Sequence, residues 1–154
     1  MSNSVIEVRV KALIPTGNGV AVFLGTEEKV FVIQIDAGVG TAISMFMSGQ
    51  PKERPLTHDL MTMLLTALGA RVDRVVINDF QNGTYFARLI VVVENEIQQR
   101  KIIELDARPS DGIALATQQK APIYVTEEVW SDTEDMTDVL ERVQEEKSDE
   151  EKGE

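Results

Sequence analysis

The chain has 154 residues, enough for one domain, and its 43% hydrophobic and 27% charged content is globular rather than disordered. It has no cysteine, which excludes disulfides, a thiol nucleophile and thiolate metal sites, and its single histidine, His58, excludes a multi-histidine zinc site within one chain and any two-histidine mechanism. The net charge of −11 is uneven: residues 127–154 carry 13 acids and 3 bases, so the rest is close to neutral, which permits a local basic site but gives no broad electrostatic footprint for nucleic acid.

Residues Ile6 to Ala12 alternate apolar and charged, the period of a half-buried strand. A turn cluster follows at Pro15–Gly19, then strands over Val20–Leu24 and Lys29–Ile35, which together predict an antiparallel meander. Val39, Ile43, Phe46 and Met47 recur at helical spacing, so Asp36–Met47 reads as a helix. A second helix opens at Arg54-Pro55-Leu56-Thr57-His58-Asp59, with Thr57 as the expected N-cap and Asp59 in the first turn. Leu60, Met61, Leu64, Leu65 and Leu68 are its expected core-facing stripe, and Gly69 stands where the helix should stop.

Strands follow over Arg71–Phe80 and Thr84–Val93, joined by Asn82-Gly83, the strongest short hairpin signal in the chain. Arg100–Asp106 predicts another strand, a short helix starts near Ser110, and Pro122–Val125 is a last strand. Residues 131–154 form an acidic tail, with an amphipathic helix expected over Thr133–Gln144 and disorder after Glu145. The expected architecture is α/β (α+β): one domain over residues 1–130, with a mixed or largely antiparallel sheet and three to four helices. No stretch approaches the roughly 18 apolar residues of a membrane span. The N-terminus lacks a basic segment followed by an apolar one, so a cytoplasmic location without membrane contact is expected.

Two segments gather groups capable of chemistry. At the first, Arg54 and Thr57 could hold a phosphate at a helix N-terminus, with His58 as general acid or base beside Asp59. At the second, Asp106-Ala107-Arg108-Pro109-Ser110-Asp111, a strand runs into a helix. Asp106 and Asp111 could share a divalent ion such as Mg²⁺, and Arg108 and Ser110 could bind phosphate oxygens. The bland account of both is helix capping and structural ion pairs. There is no Walker A loop, no dinucleotide glycine motif and no Gly-x-Ser-x-Gly elbow.

Taken together, Arg54–Leu60, Gly83-Thr84-Tyr85-Phe86-Ala87, Asp106–Ala116 and Ala121–Val125 resemble the bifunctional nuclease domain family, in order and spacing, from about Glu7 to about Val129. The resemblance implies an α/β domain with nuclease activity on DNA and RNA. It makes His58, Asp59, Asp106 and Asp111 catalytic candidates, and Arg54, Thr57, Arg108 and Ser110 phosphate-binding ones. Two positions depart from the family pattern. Val39 stands where the family often has a glutamate, with Asp36 nearby as a possible substitute, and Gly112 stands where it usually has alanine. Gly112 is expected to loosen the helix start by roughly 0.5–1 kcal/mol. Three classes of function stay open: a metal-assisted phosphodiesterase acting on nucleic acid, a non-catalytic homo-oligomeric module (a homodimer is expected), and an anion or nucleotide sensor.

Overall fold

A computed structural model describes residues 4–153. Seven strands form one mixed sheet: β1 (Val5–Thr16), β2 (Gly19–Gly25), β3 (Val30–Ile35), β4 (Ala70–Gln81), β5 (Thr84–Glu94), β6 (Arg100–Ala107) and β7 (Ile123–Thr126). Their order across the sheet is β3-β2-β1-β7-β4-β5-β6. Only β4 and β7 are parallel; every other pair is antiparallel. Five helices complete the fold: α1 (Ala37–Ser48), α2 (Thr57–Ala67), α3 (Pro109–Gln119), α4 (Glu127–Asp132) and α5 (Thr137–Lys152). The meander and the hairpin fall where the sequence places them. The hairpin turns through Asn82 (φ 51°) and Gly83 (φ 81°), the two positive dihedrals of a type I′ turn.

Strand β1 is long enough to serve two partners. Val5–Val8 pair with β7, and Arg9–Thr16 pair with β2 across a bulge between Val10 and Ala12. A bulge sharpens twist, and the sheet curls. Phe31 of β3 comes within 5.8 Å of Tyr85 of β5 although four strands lie between them in the sheet. This curl folds the far edge of the meander toward the β4–β5 hairpin and creates a cavity there.

The main core lies on the concave face, where Phe31, Ile43, Val75, Ile77, Ile113 and Leu115 are almost wholly buried. Helix α3 crosses it so closely that a Cβ on Gly112 would stand 2.8 Å from Cγ1 of Val75. Gly112 therefore permits the approach of helix to sheet and does not merely loosen the helix start, as the sequence alone suggests. Gly112→Ala is expected to destabilise by about 1–3 kcal/mol, because overpacking outweighs the gain in helix propensity. A denaturant titration with an unchanged m-value would register this as a lower midpoint.

The C-terminal region contains two helices where the sequence predicts one. Val129 of α4 joins the main core, and Trp130 meets Phe31 edge-on at 5.9 Å. Met136 and Leu140 close a second cluster with Ala21, Phe23 and Val30 on the outer face of the meander. The break at Thr133 comes where its hydroxyl bonds the Trp130 carbonyl. Helix α5 then continues through the acidic run to Lys152, where disorder is expected from composition. Asp138/Arg142, Arg142/Glu146 and Lys147/Glu151 fall at the i,i+4 spacing that supports a solvated helix. Among the described residues no helix is long and apolar enough to cross a membrane.

Candidate functional site

Helix α3 begins with Arg108 as its N-cap residue and Pro109 in the first turn. Proline there costs nothing, because its missing N–H would have had no helical partner. Asp111, one turn in, accepts from Arg108 Nε at 2.9 Å through one oxygen and meets His58 Nε2 at 2.9 Å through the other. A carboxylate can only accept, so Nε2 carries the proton. The two signature segments, 53 positions apart in sequence, are joined by this bond.

His58 is buried, and its ring lies edge-on to Phe46 of α1 at 6.5 Å. It thus pins α2 against both α1 and α3. Burial of Asp111 raises its pKa, but the hydrogen bonds and charges of Arg108 and His58 outweigh that and hold it below the usual carboxylate range. Asp111 in turn pushes the Arg108 pKa up through its hydrogen bond and its charge, with a further contribution from the charge of Asp36. Because the folded pKa of Asp111 is depressed, its ionised form stabilises the fold above the unfolded value of about 3.9. That contribution is lost as pH falls through the folded value. The melting-temperature advantage of the wild type over Asp111→Asn is therefore expected to be constant near neutral pH, to shrink as pH falls below the unfolded value, and to vanish only below the depressed folded value. Parallel thermal melts across that range check the sign.

The curl of the sheet opens a cavity of about 570 Å³ beside this bond network, lined by the C-terminal end of β3, the β4–β5 hairpin and the start of α3. Asp36, Gln34, Thr84, Tyr85, Arg108 and Ser110 carry its polar groups. Asp36 caps α1 by accepting from Val39 N–H at 3.2 Å through Oδ1. Among the described residues, Oδ2 of Asp36 has no hydrogen-bond partner. The Arg108 side chain is 69% exposed, and among the described residues it bonds through Nε alone. Its two Nη groups are free to meet a ligand. Val39, by contrast, packs against the core, so Asp36 is the carboxylate that this helix start brings to the cavity.

The remaining predicted residues divide. Ser110 is buried at the cavity wall. Thr57 is exposed and is the first helical residue; Leu56 takes the N-cap position, one residue earlier than the sequence suggests. Asp59 fixes that end by accepting from Leu56 N–H at 2.7 Å. Its other contacts are Lys52 at 2.8 Å and Gln118 Nε2 at 2.6 Å. Burial raises the Asp59 pKa, but these bonds and the charge of Lys52 outweigh it and leave it lowered. Asp59 thus latches α2 to α3 and lies outside the cavity. Arg54 is exposed in a separate shallow depression with Lys52, Glu53 and Asp59.

Asp106 is exposed on β6, in register with Arg88 of β5. Strand alternation puts it on the opposite face from Ala107, which packs against the core. Among the described residues no three His, Asp or Glu side chains cluster in a way that could hold a metal ion. Each Asp111 oxygen accepts one hydrogen bond, Oδ1 from His58 Nε2 and Oδ2 from Arg108 Nε. Gln118 and Gln119, which tie α3 to Thr62 of α2 and to the Val72 N–H, carry no signal in the sequence that would single them out.

A family model described as the bifunctional nuclease domain matches residues 22–137. Two proteins described as uncharacterised, from Mycobacterium tuberculosis strains CDC 1551 / Oshkosh and ATCC 25618 / H37Rv, are each 40% identical over 97 residues. The match covers 63% of this chain and 54% of each of them, so the chain spans about half the length of these relatives.

Proposed function

The chain belongs to the bifunctional nuclease domain family, and we propose that it binds and hydrolyses phosphodiester bonds of DNA or RNA in the cavity at the start of α3. The observation that carries this reading is the state of Arg108. Its Nε is tied to Asp111, its Nη groups are free, and it faces a cavity that also holds the Asp36 carboxylate.

An anchored guanidinium with a free fork matches two non-bridging oxygens of a phosphate. The backbone N–H groups of the first turn of α3 add favourable potential at the same place. In the reaction, water attacks phosphorus, its proton passes to Asp36, and the bond from phosphorus to the leaving sugar oxygen breaks. That oxygen takes a proton from solvent, and Arg108 stabilises the charge that builds on the phosphate oxygens. His58 acts through Asp111 and is a positioning residue. The Phe80–Tyr85 pair, stacked at 4.3 Å on the hairpin wall, offers a surface against which a base could lie.

The commitment of both Asp111 oxygens favours a second reading, in which the same cavity binds phosphate groups without cleaving them. Purified protein incubated with supercoiled plasmid and single-stranded RNA separates the two, run with Mg²⁺, with Mn²⁺ and with chelator, beside Arg108→Ala and Asp36→Asn. Hydrolysis lost in both variants supports the first reading. Oligonucleotide binding lost in Arg108→Ala, with no hydrolysis by the wild type in any metal condition, supports the second.

A further inference from the structure

The cavity beside Arg108 does not end at the β4–β5 hairpin. Val32, Phe80 and Tyr85 form a wall common to it and to a second cavity of about 350 Å³, which reaches the linker between α4 and α5. The two are halves of one trough. Phe31 and Met136 add apolar wall to the second half, and Asp132 and Glu134 bring its charge. The trough therefore runs from a guanidinium at the start of α3, across aromatic rings, to two carboxylates.

The linker that carries these acids is tied down. Asp135 accepts from Val30 N–H and from the N–H and hydroxyl of Thr137, and Met136 N–H donates to the Val30 carbonyl at 2.6 Å. Thr133 is buried, with its hydroxyl donating to the Trp130 carbonyl. Asp135 is thus spent on holding the linker to β3. Asp132 and Glu134 are exposed and have no hydrogen-bond or ion-pair partner among the described residues.

We propose that the second half of the trough is a nucleobase subsite that selects guanine in a single strand, with the adjacent phosphate on Arg108; it rests on the phosphate reading of Arg108 given above. Phe80 and Tyr85 are half-buried and stacked at 4.3 Å, and Phe31 lies 5.8 Å from Tyr85, so flat aromatic surface lines the wall that both cavities share. Bases of a single strand turn out and lie on such rings, whereas paired bases stay in the duplex.

The two carboxylates decide which base. A carboxylate only accepts. Guanine alone among the common bases carries two adjacent donors on its pairing edge, N1–H and the N2 amino group, and these match the two oxygens of one carboxylate. Adenine and cytosine offer one donor beside an acceptor, and uracil one donor between two acceptors, so each sets a lone pair against a carboxylate oxygen. The same negative charge repels phosphate, which keeps the backbone at the Arg108 end and the base at the linker end.

Titration calorimetry of the full chain with the 3′- and 5′-monophosphates of guanosine, adenosine, cytidine and uridine tests this with no cleavable phosphodiester present. Guanosine monophosphate is expected to bind about tenfold or more tighter than the other three, the scale of one charge-assisted hydrogen bond. Asp132→Asn with Glu134→Gln is expected to remove that preference, because an amide offers one acceptor and one donor. Arg108→Ala is expected to weaken all four nucleotides alike. Equal binding of the four by the wild type, or a guanine preference that survives the double variant, would overturn the base subsite; loss of that binding in Arg108→Ala would leave the phosphate reading standing. Nucleotide binding indifferent to Arg108→Ala would overturn both. Failure of every nucleotide to bind would also overturn the subsite, and binding of inorganic phosphate lost in Arg108→Ala would then keep the phosphate reading.

Discussion

Arg108→Ala is expected to lower phosphodiester cleavage by about 100-fold or more while leaving the melting temperature within about 2 °C of the wild type. The size follows from the usual cost of removing one preorganised charge-stabilising donor from a transition state. The small thermal effect follows from exposure. Arg108 is mostly in water, caps α3 without a side-chain bond, and forms an ion pair of the surface kind. Arg108→Lys keeps the charge but loses the planar fork. It is therefore expected to recover binding more than rate, and the split between KM and kcat reads this directly.

Asp111→Ala is expected to do the opposite, with stability falling first and activity falling as a consequence. Truncation leaves the buried His58 ring with an unpaired N–H, at a cost of about 1–3 kcal/mol. In a chain of this size that corresponds to a melting point roughly 3–10 °C lower. It also frees Arg108 from its anchor. Asp111→Asn keeps an oxygen for His58 Nε2, so it is expected to lose less stability while still loosening Arg108. A thermal melt of the three proteins at pH 7, beside their cleavage rates, separates the role of Asp111 in holding helices together from its role in aiming the guanidinium.

Much of the fold is legible in the sequence because its signals are local. The alternation through Ile6–Ala12, the Asn82-Gly83 turn and the Pro109 helix start each act within a few residues, and each stands where expected. The failures arise where a distant partner decides. Leu60, Leu64 and Leu68 have core-like spacing, yet the helix is clamped by polar contacts, His58 to Asp111, Asp59 to Gln118 and Thr62 to Gln118, which turn these three outward and leave only Leu65 of the expected leucines against the core. No periodicity could foresee this, since side-chain hydrogen bonds to α3, with Gln119 to Thr62 as the fourth, set the rotation.

The candidate site was half legible. The family signature singles out His58, Arg108, Ser110 and Asp111, and the structure brings them to one place. Asp59 carries the same signature but serves the α2–α3 latch, and Asp106 falls on the outer face of β6 because strand direction alternates. Asp36 reaches the cavity through the curl of a sheet whose register is irregular in both the β1–β2 and the β4–β5 pairs, a long-range feature. A cap aspartate is ordinary in sequence, and its proximity to Arg108 appears only in three dimensions.

The most direct test of the account is the cleavage of end-labelled single-stranded RNA and supercoiled plasmid by wild type and by Arg108→Ala, purified identically and matched for folded fraction. Cleavage by the wild type that falls by about 100-fold in the folded variant is the predicted result. Equal cleavage by the two proteins would contradict it and remove the cavity at the start of α3 from the chemistry.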